Sequence, residues 1–223
     1  MLETAMLKVF STEALWQIVN DAFQIHGGPA YFTSLPLERI LRDTRISQIG
    51  EGANEVLTSF IALVGMRAPA MELRELWEAL HHPWSELPHA WRLGLERVGA
   101  AVHAPAVSVQ SPALAGHGHE LSRLIWRFNI EVDRAIIHHR EEILERQYAQ
   151  ERIAGAAMEL FASACVLSRR DAELEMGGED SQCAAELFLR ASRRRVKQAL
   201  SELHDNDDNA VTAAANEALK KED

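Results

Sequence analysis

Apolar residues recur at three- and four-residue intervals along most of this chain, and no strand-rich segment interrupts them. Met6, Val9, Trp16, Val19 and Phe23 predict a helix from Met1 to Ile25, with Trp16 in its core face. A short second helix is expected from Pro36 to Thr44, where proline suits the first turn. A third follows from Ala53 to Met66, with Leu57, Phe60, Ile61 and Val64 on one face.

Beyond Arg67 the pattern weakens. Pro69, Pro83, Pro88, Pro105 and Pro112 punctuate the chain, and only Met71 to Leu80 keeps a clear helical period. Long helices return from His119 onward, marked by Leu121, Ile125, Phe128, Val132 and Ala135, then by Ile153, Ala157, Leu160, Ala164 and Leu167. Gly177-Gly178 should end the second of these, and Asp180 or Ser181 should cap a third containing Leu189, Val196, Leu200 and Leu203. His204 to Asn209 reads as a turn or linker, and Ala210 to Asp223 as a marginal helix or a disordered tail. The expected fold class is all-α: a helical bundle over residues 1–66, a connector over 67–116, and a second, antiparallel helical bundle over 117–223.

Composition narrows the partners more than the fold. A net charge of -10 argues against nucleic acid. Cys165 and Cys183 lie within apolar helical patterns and are expected to be buried free thiols. No signal peptide and no membrane-spanning apolar run is expected. Trp77, Trp84 and Trp91 recur every seven residues, so this segment either meets a membrane surface or packs its tryptophans on the bundle; it lacks a basic face. His138 and His139 are adjacent and expected to point to different sides of a helix, and with no metal-ligand spacing nearby no metal site is expected. Arg193, Arg194, Arg195 and Lys197 form either a solvated face or a contact for a phosphate or an acidic lipid.

Candidate chemistry is confined to Gln24 through Glu55. Two glycine loops, His26-Gly27-Gly28 and Gly50-Glu51-Gly52, bracket a segment carrying Arg39, Arg42, Asp43 and Arg45. Taken singly, the first loop reads as a helix C-cap and the second as punctuation before a helix. Their glycines also let backbone approach a ligand closely, and leave Glu51 little shielded.

Five segments in order, Lys8 to Ala14, Gln24 to Gly28, Leu37 to Arg39, Leu41 to Asp43 and Ile49 to Glu55, resemble the C-terminal helical domain of the acyl-CoA dehydrogenase family, very-long-chain branch. Residues 162–170, ASACVLSRR, and the helix after them resemble the extra C-terminal domain of that branch. The resemblance implies Glu51 as the base that removes the α-proton of an acyl-CoA, and Gly52 as a substrate contact. It implies that Gln24, Ile25, His26, Gly27 and Gly28 contact the FAD of a partner subunit, and that Ala53, Asn54 and Glu55 form a turn that also touches flavin. It implies as partners a fatty acyl-CoA, an electron-transfer flavoprotein, and either a second copy or a separate N-terminal half carrying the flavin domains.

Two departures from the family pattern stand out: Pro29-Ala30 after the glycine pair, and Ala53 in place of a hydroxyl residue. The expected location is mitochondrial in a eukaryote, or cytoplasmic with peripheral membrane contact in a bacterium. The rival expectation is a non-catalytic structural or assembly module derived from such an enzyme.

Overall fold

The structure, a computed structural model, describes residues 1–81, 99, 103–177 and 182–220. Trp84, Trp91, Gly178, Asp180 and Ser181, on which parts of the sequence reading rested, lie outside them. Among the described residues every regular element is a helix, so the fold class is all-α. The chain divides into two compact units, Met1–Ala68 and Pro69–Asp223.

In the first unit, α1 (Leu2–His26) packs against α2 (Leu37–Arg45). Gly27 ends α1 at a φ of 62°, donating its N–H back to the carbonyls of Phe23 and Gln24. A left-handed turn of this kind is cheap only for glycine. Pro36 precedes α2 as its cap residue, one position outside the expected first turn. Trp16 is only half-buried, with the Arg45 guanidinium over its ring at 5.6 Å. Arg42 and Asp43 are exposed, each facing a residue one turn back, Glu38 at 3.5 Å and Arg39 at 3.8 Å.

Helix α3 (Asn54–His81) is longer than its apolar pattern suggested. It continues through Pro69 instead of stopping near Met66, although an interior proline removes one helical hydrogen bond and crowds the preceding turn, at about 3 kcal/mol. Because the helix does not stop there, the span Asn54–Glu78 is long and apolar enough, by length and composition, to cross a membrane. That corrects the expectation that no such run exists; the core helix of a soluble protein passes the same test. Ile61, Ala62 and Met66 are its buried apolar residues among those described, while Val64, assigned to the same face, is exposed.

The second unit contains α4 (Ala115–His139), α5 (Gln147–Glu175), α6 (Gln182–Glu202) and α7 (Asp208–Leu219). Side-chain pairs fix their directions. Ser163 meets Ser192, Glu159 meets Arg195 and Arg152 meets Glu202, so α5 and α6 run antiparallel. His117 meets Glu186, Glu120 meets Arg193 and Glu131 meets His204, so α4 runs parallel to α6. Leu121, Val132, Ile153, Leu160, Leu167, Val196 and Leu200 are buried in this bundle. An extended segment lies along it: Asp171 accepts the backbone N–H groups of Gln110 and Ser111, and Ser122 donates to the Pro105 carbonyl. Gly118 eases the close approach there, since a Cβ would stand 3.1 Å from the Val107 carbonyl oxygen.

Three surface expectations change. Cys165 and Cys183 are free but exposed, because each sits on the outer side of an amphipathic helix whose other face fills the core. The basic run is tied to carboxylates: Arg193 pairs with Glu120 and Arg195 with Glu159. The rings of His138 and His139 meet edge to face, 4.6 Å apart, where α4 ends. Burial, the neighbouring His138 and Arg146 hold the His139 pKa below its usual value. Among the described residues no group of three or more potential ligands is arranged around a metal position.

Candidate active site

Two tight turns separate α2 from α3. A short 3-10 turn, Ile46–Gln48, follows α2, and the Ile46 carbonyl then accepts from both Ile49 (3.0 Å) and Gly50 (2.7 Å). A Cβ on Gly50 would lie 3.3 Å from that same oxygen, so glycine permits the close approach. Glu51 comes next with a φ of 57°, followed by Gly52 at 95°. For a residue with a Cβ the left-handed region costs about 1–2 kcal/mol, and it persists where the surroundings hold it. Glycines on both sides were legible in the sequence; that Glu51 itself takes the left-handed conformation was not.

The Glu51 carboxylate is exposed and, among the described residues, has neither a hydrogen-bond nor an ion-pair partner. It stands open to a molecule brought against the turn. Gly52 is packed from behind by Leu57, whose Cδ2 would touch a Cβ at 3.3 Å.

What holds the turn comes from α1. Lys8 Nζ donates to the Gly52 carbonyl at 2.9 Å and to Asn54 Oδ1 at 2.7 Å. Asn54 Nδ2 donates in turn to Thr12 Oγ1 at 3.0 Å and to Glu13 Oε1 at 2.6 Å. Asn54 is only 4 % exposed, and its amide is fully engaged within the fold. Sequence reasoning assigned no role to Lys8, Thr12 or Glu13. Lys8 and Asn54 are 46 residues apart, and no periodicity links them.

Gln24, Ile25, His26, Gly27 and Gly28 are all exposed at the end of α1. His26 Nδ1 bonds the Ala22 carbonyl at 2.8 Å, which turns the ring back along the helix. Nothing lies within 4 Å of where a Cβ would stand on Gly27 or Gly28, so the backbone here is open to approach. Ile25 is 82 % exposed, and Tyr31 and Phe32, with rings edge to face at 6.2 Å, are exposed as well. Ala53 is half-buried and Glu55 exposed.

Comparison with known proteins divides the chain in the same region. Residues 1–65 match the family model described as acyl-CoA dehydrogenase, C-terminal domain, and residues 112–223 match the ACAD9/ACADV C-terminal domain. The human mitochondrial very long-chain specific acyl-CoA dehydrogenase is 32% identical over 185 residues, 81% of this chain and 28% of that protein. A 3-(aryl)acrylate reductase of Clostridium sporogenes is 48% identical over 60 residues, 27% of this chain and 16% of its own length. A crystal structure of an acyl-CoA dehydrogenase complexed with FAD, from Bacillus anthracis, superimposes with a TM-score of 0.68 at 21% identity, covering 91% of this chain and 32% of that one. The chain thus spans little more than a quarter of the length of its very-long-chain relatives.

Proposed function

This chain belongs to the acyl-CoA dehydrogenase family, corresponding to the C-terminal region of its very-long-chain type, and from that premise we propose that it takes part in α,β-dehydrogenation of a long-chain fatty acyl-CoA. The observation that carries the reading is the unengaged Glu51 carboxylate, on a left-handed turn between two glycines.

In this reading Glu51 takes the α-proton of the thioester as the α C–H bond breaks, and becomes a neutral carboxylic acid. Gly52, with no side chain, leaves room for the acyl-CoA to lie against the turn.

The residues at the end of α1 suit FAD on structural grounds. The backbone of Gly27 and Gly28 is open, and Ile25, Tyr31 and Phe32 offer apolar surface for a planar ring or a neighbouring subunit. Gln24 to Gly28 would hold the flavin of a partner subunit, and Ala53 and Glu55 would approach it by backbone. Asn54 supports that turn from inside, since its amide is committed to α1. FAD, when bound, supplies the acceptor for the two electrons that leave with the β-hydride, and an electron-transfer flavoprotein would take them onward.

The test begins with the purified chain incubated with FAD and desalted, first alone and then with a companion polypeptide carrying the flavin-holding domains of a relative. Retained flavin absorbance that bleaches on adding a long-chain acyl-CoA supports the reading. Glu51→Gln should then lower turnover by about 10²–10⁴-fold or more, as expected for loss of a general base. No retained flavin in either arm, or near-complete turnover in Glu51→Gln, overturns it and favours a structural role.

A further inference from the structure

We infer that Lys8 is a positioning residue for Glu51, acting through the turn and not on substrate; this rests on the reading of Glu51 as the base. Its ammonium group reaches from α1 to two oxygens on the far side of the site, the Gly52 carbonyl at 2.9 Å and Asn54 Oδ1 at 2.7 Å. The first belongs to the residue directly after Glu51 and the second to the side chain three residues on, so the two bonds restrain the chain on the C-terminal side of Glu51.

The contact is unlike ordinary helix capping. Asn54 is the first residue of α3, where the aligned peptide dipoles present their positive end. A cation placed there opposes the helix dipole, by about 0.3–1 kcal/mol, so stabilising α3 does not account for it.

The surrounding bonds offset that cost and give the contact direction. The Asn54 amide accepts from an ammonium and donates to the Glu13 carboxylate at 2.6 Å, so both of its ends are charge-assisted. This polarity also fixes which end of the amide is oxygen, since neither charged partner would tolerate the reverse. Thr12 closes the set: its hydroxyl receives Asn54 Nδ2 at 3.0 Å and itself donates to the Lys8 carbonyl at 2.8 Å. Lys8, Thr12 and Glu13 share one edge of α1 within about a turn and a half of helix. One face of α1 thereby grips the turn through the buried Asn54 amide and the Gly52 carbonyl.

A left-handed Glu51 needs such a grip. The conformation is costly for a residue with a Cβ, and without restraint from Gly52 and Asn54 the turn would sample others. Each alternative moves the carboxylate, and a displacement of about 1 Å at a reacting group can cost 10²-fold in rate.

Two measurements test this. In the full chain, amide hydrogen exchange at Ile49 and Gly50, whose N–H groups close the turn on the Ile46 carbonyl, should rise about tenfold or more in Lys8→Met, while the amides of the second unit keep their rates. In the flavin-loaded complex, Lys8→Met should lower kcat by about 10–100-fold with KM changed less than about twofold, and Lys8→Arg, which can still donate to both oxygens, should restore part of the loss. Unchanged exchange at the turn, or a full kcat in Lys8→Met beside an inactive Glu51→Gln, overturns the positioning role alone. An active Glu51→Gln overturns the base assignment and this inference together.

Discussion

The two units of this chain spend their side chains differently. In the second, large apolar residues such as Leu121, Leu160, Leu167 and Leu200 are buried, and the faces between them are laced by cross-helix pairs. In the first, the buried positions of α1 are the smaller Ala5, Val9 and Val19, while Leu7, Ile18, Ile25, Phe32, Ile49 and Val56 are exposed. The first unit's long-range polar bonds converge on one place, the turn after Glu51. Stability in the second unit is thus spread over a core, whereas the first concentrates its order where the candidate chemistry is.

The comparison breaks most clearly on a core deletion. Leu200, 1 % exposed on α6, has no partial burial to cushion its loss. Leu200→Ala should destabilise the second unit by about 2–5 kcal/mol, read from chemical denaturation followed by circular dichroism. If the units are ordered by different means, hydrogen exchange at Ile49 and Gly50 should barely change. A loss below about 1 kcal/mol would mean that the bundle is looser than its burial indicates.

A smaller effect tests the first unit. Gly52 combines a φ of 95° with a Leu57 side chain 3.3 Å from any added Cβ. Gly52→Ala should therefore cost about 1–3 kcal/mol locally, seen as faster exchange in the turn and not as a lower midpoint for the second unit. An alanine variant with wild-type exchange would show that the turn is not strained.

How much of this was legible beforehand follows from the same division. The helices of both units could be read because burial on one face of a helix writes a 3.6-residue period into the sequence, as at Leu160 and Leu167 or Val196 and Leu200. The glycine turns could be read because few other residues accept positive φ. Pro69 misled, since its local cost predicts a helix end that the structure does not make there. The cysteines misled because an apolar neighbourhood in sequence does not say which side of the helix faces outward. Lys8 with Asn54, and Arg152 with Asp208, were invisible for another reason: pairs 46 and 56 residues apart exist only once the helices are in register.

That last pair gives the smallest and most local prediction. Helix α7 has no buried residue, so apolar packing does little to keep it on the bundle. It is tied at its first turn instead, where Arg152 grips Asp208 with two bonds of 2.7 and 2.6 Å, and just before it, where Glu131 accepts from His204 at 2.7 Å. The bond to Arg152 holds the Asp208 carboxyl below its ordinary pKa. Burial works against the charge on Glu131, but its bond to His204 and the nearby Arg134 outweigh this and lower its pKa too. A carboxyl whose pKa falls on folding stabilises the fold above its ordinary value, and the contribution disappears as pH drops through the lowered one. Exchange protection in α7 should therefore hold at neutral pH and fade below about pH 4, before the core helices respond. Arg152→Ala should remove most of that pH dependence while costing no more than about 1 kcal/mol in global stability, because the pair is partly solvated. High salt should act in the same direction, since a Debye length near 3 Å at 1 M weakens an ion pair but not a core. If α7 keeps its protection in Arg152→Ala at both pH values, the helix does not depend on this ion pair, and the contrast between tied and packed elements does not extend to this end of the bundle.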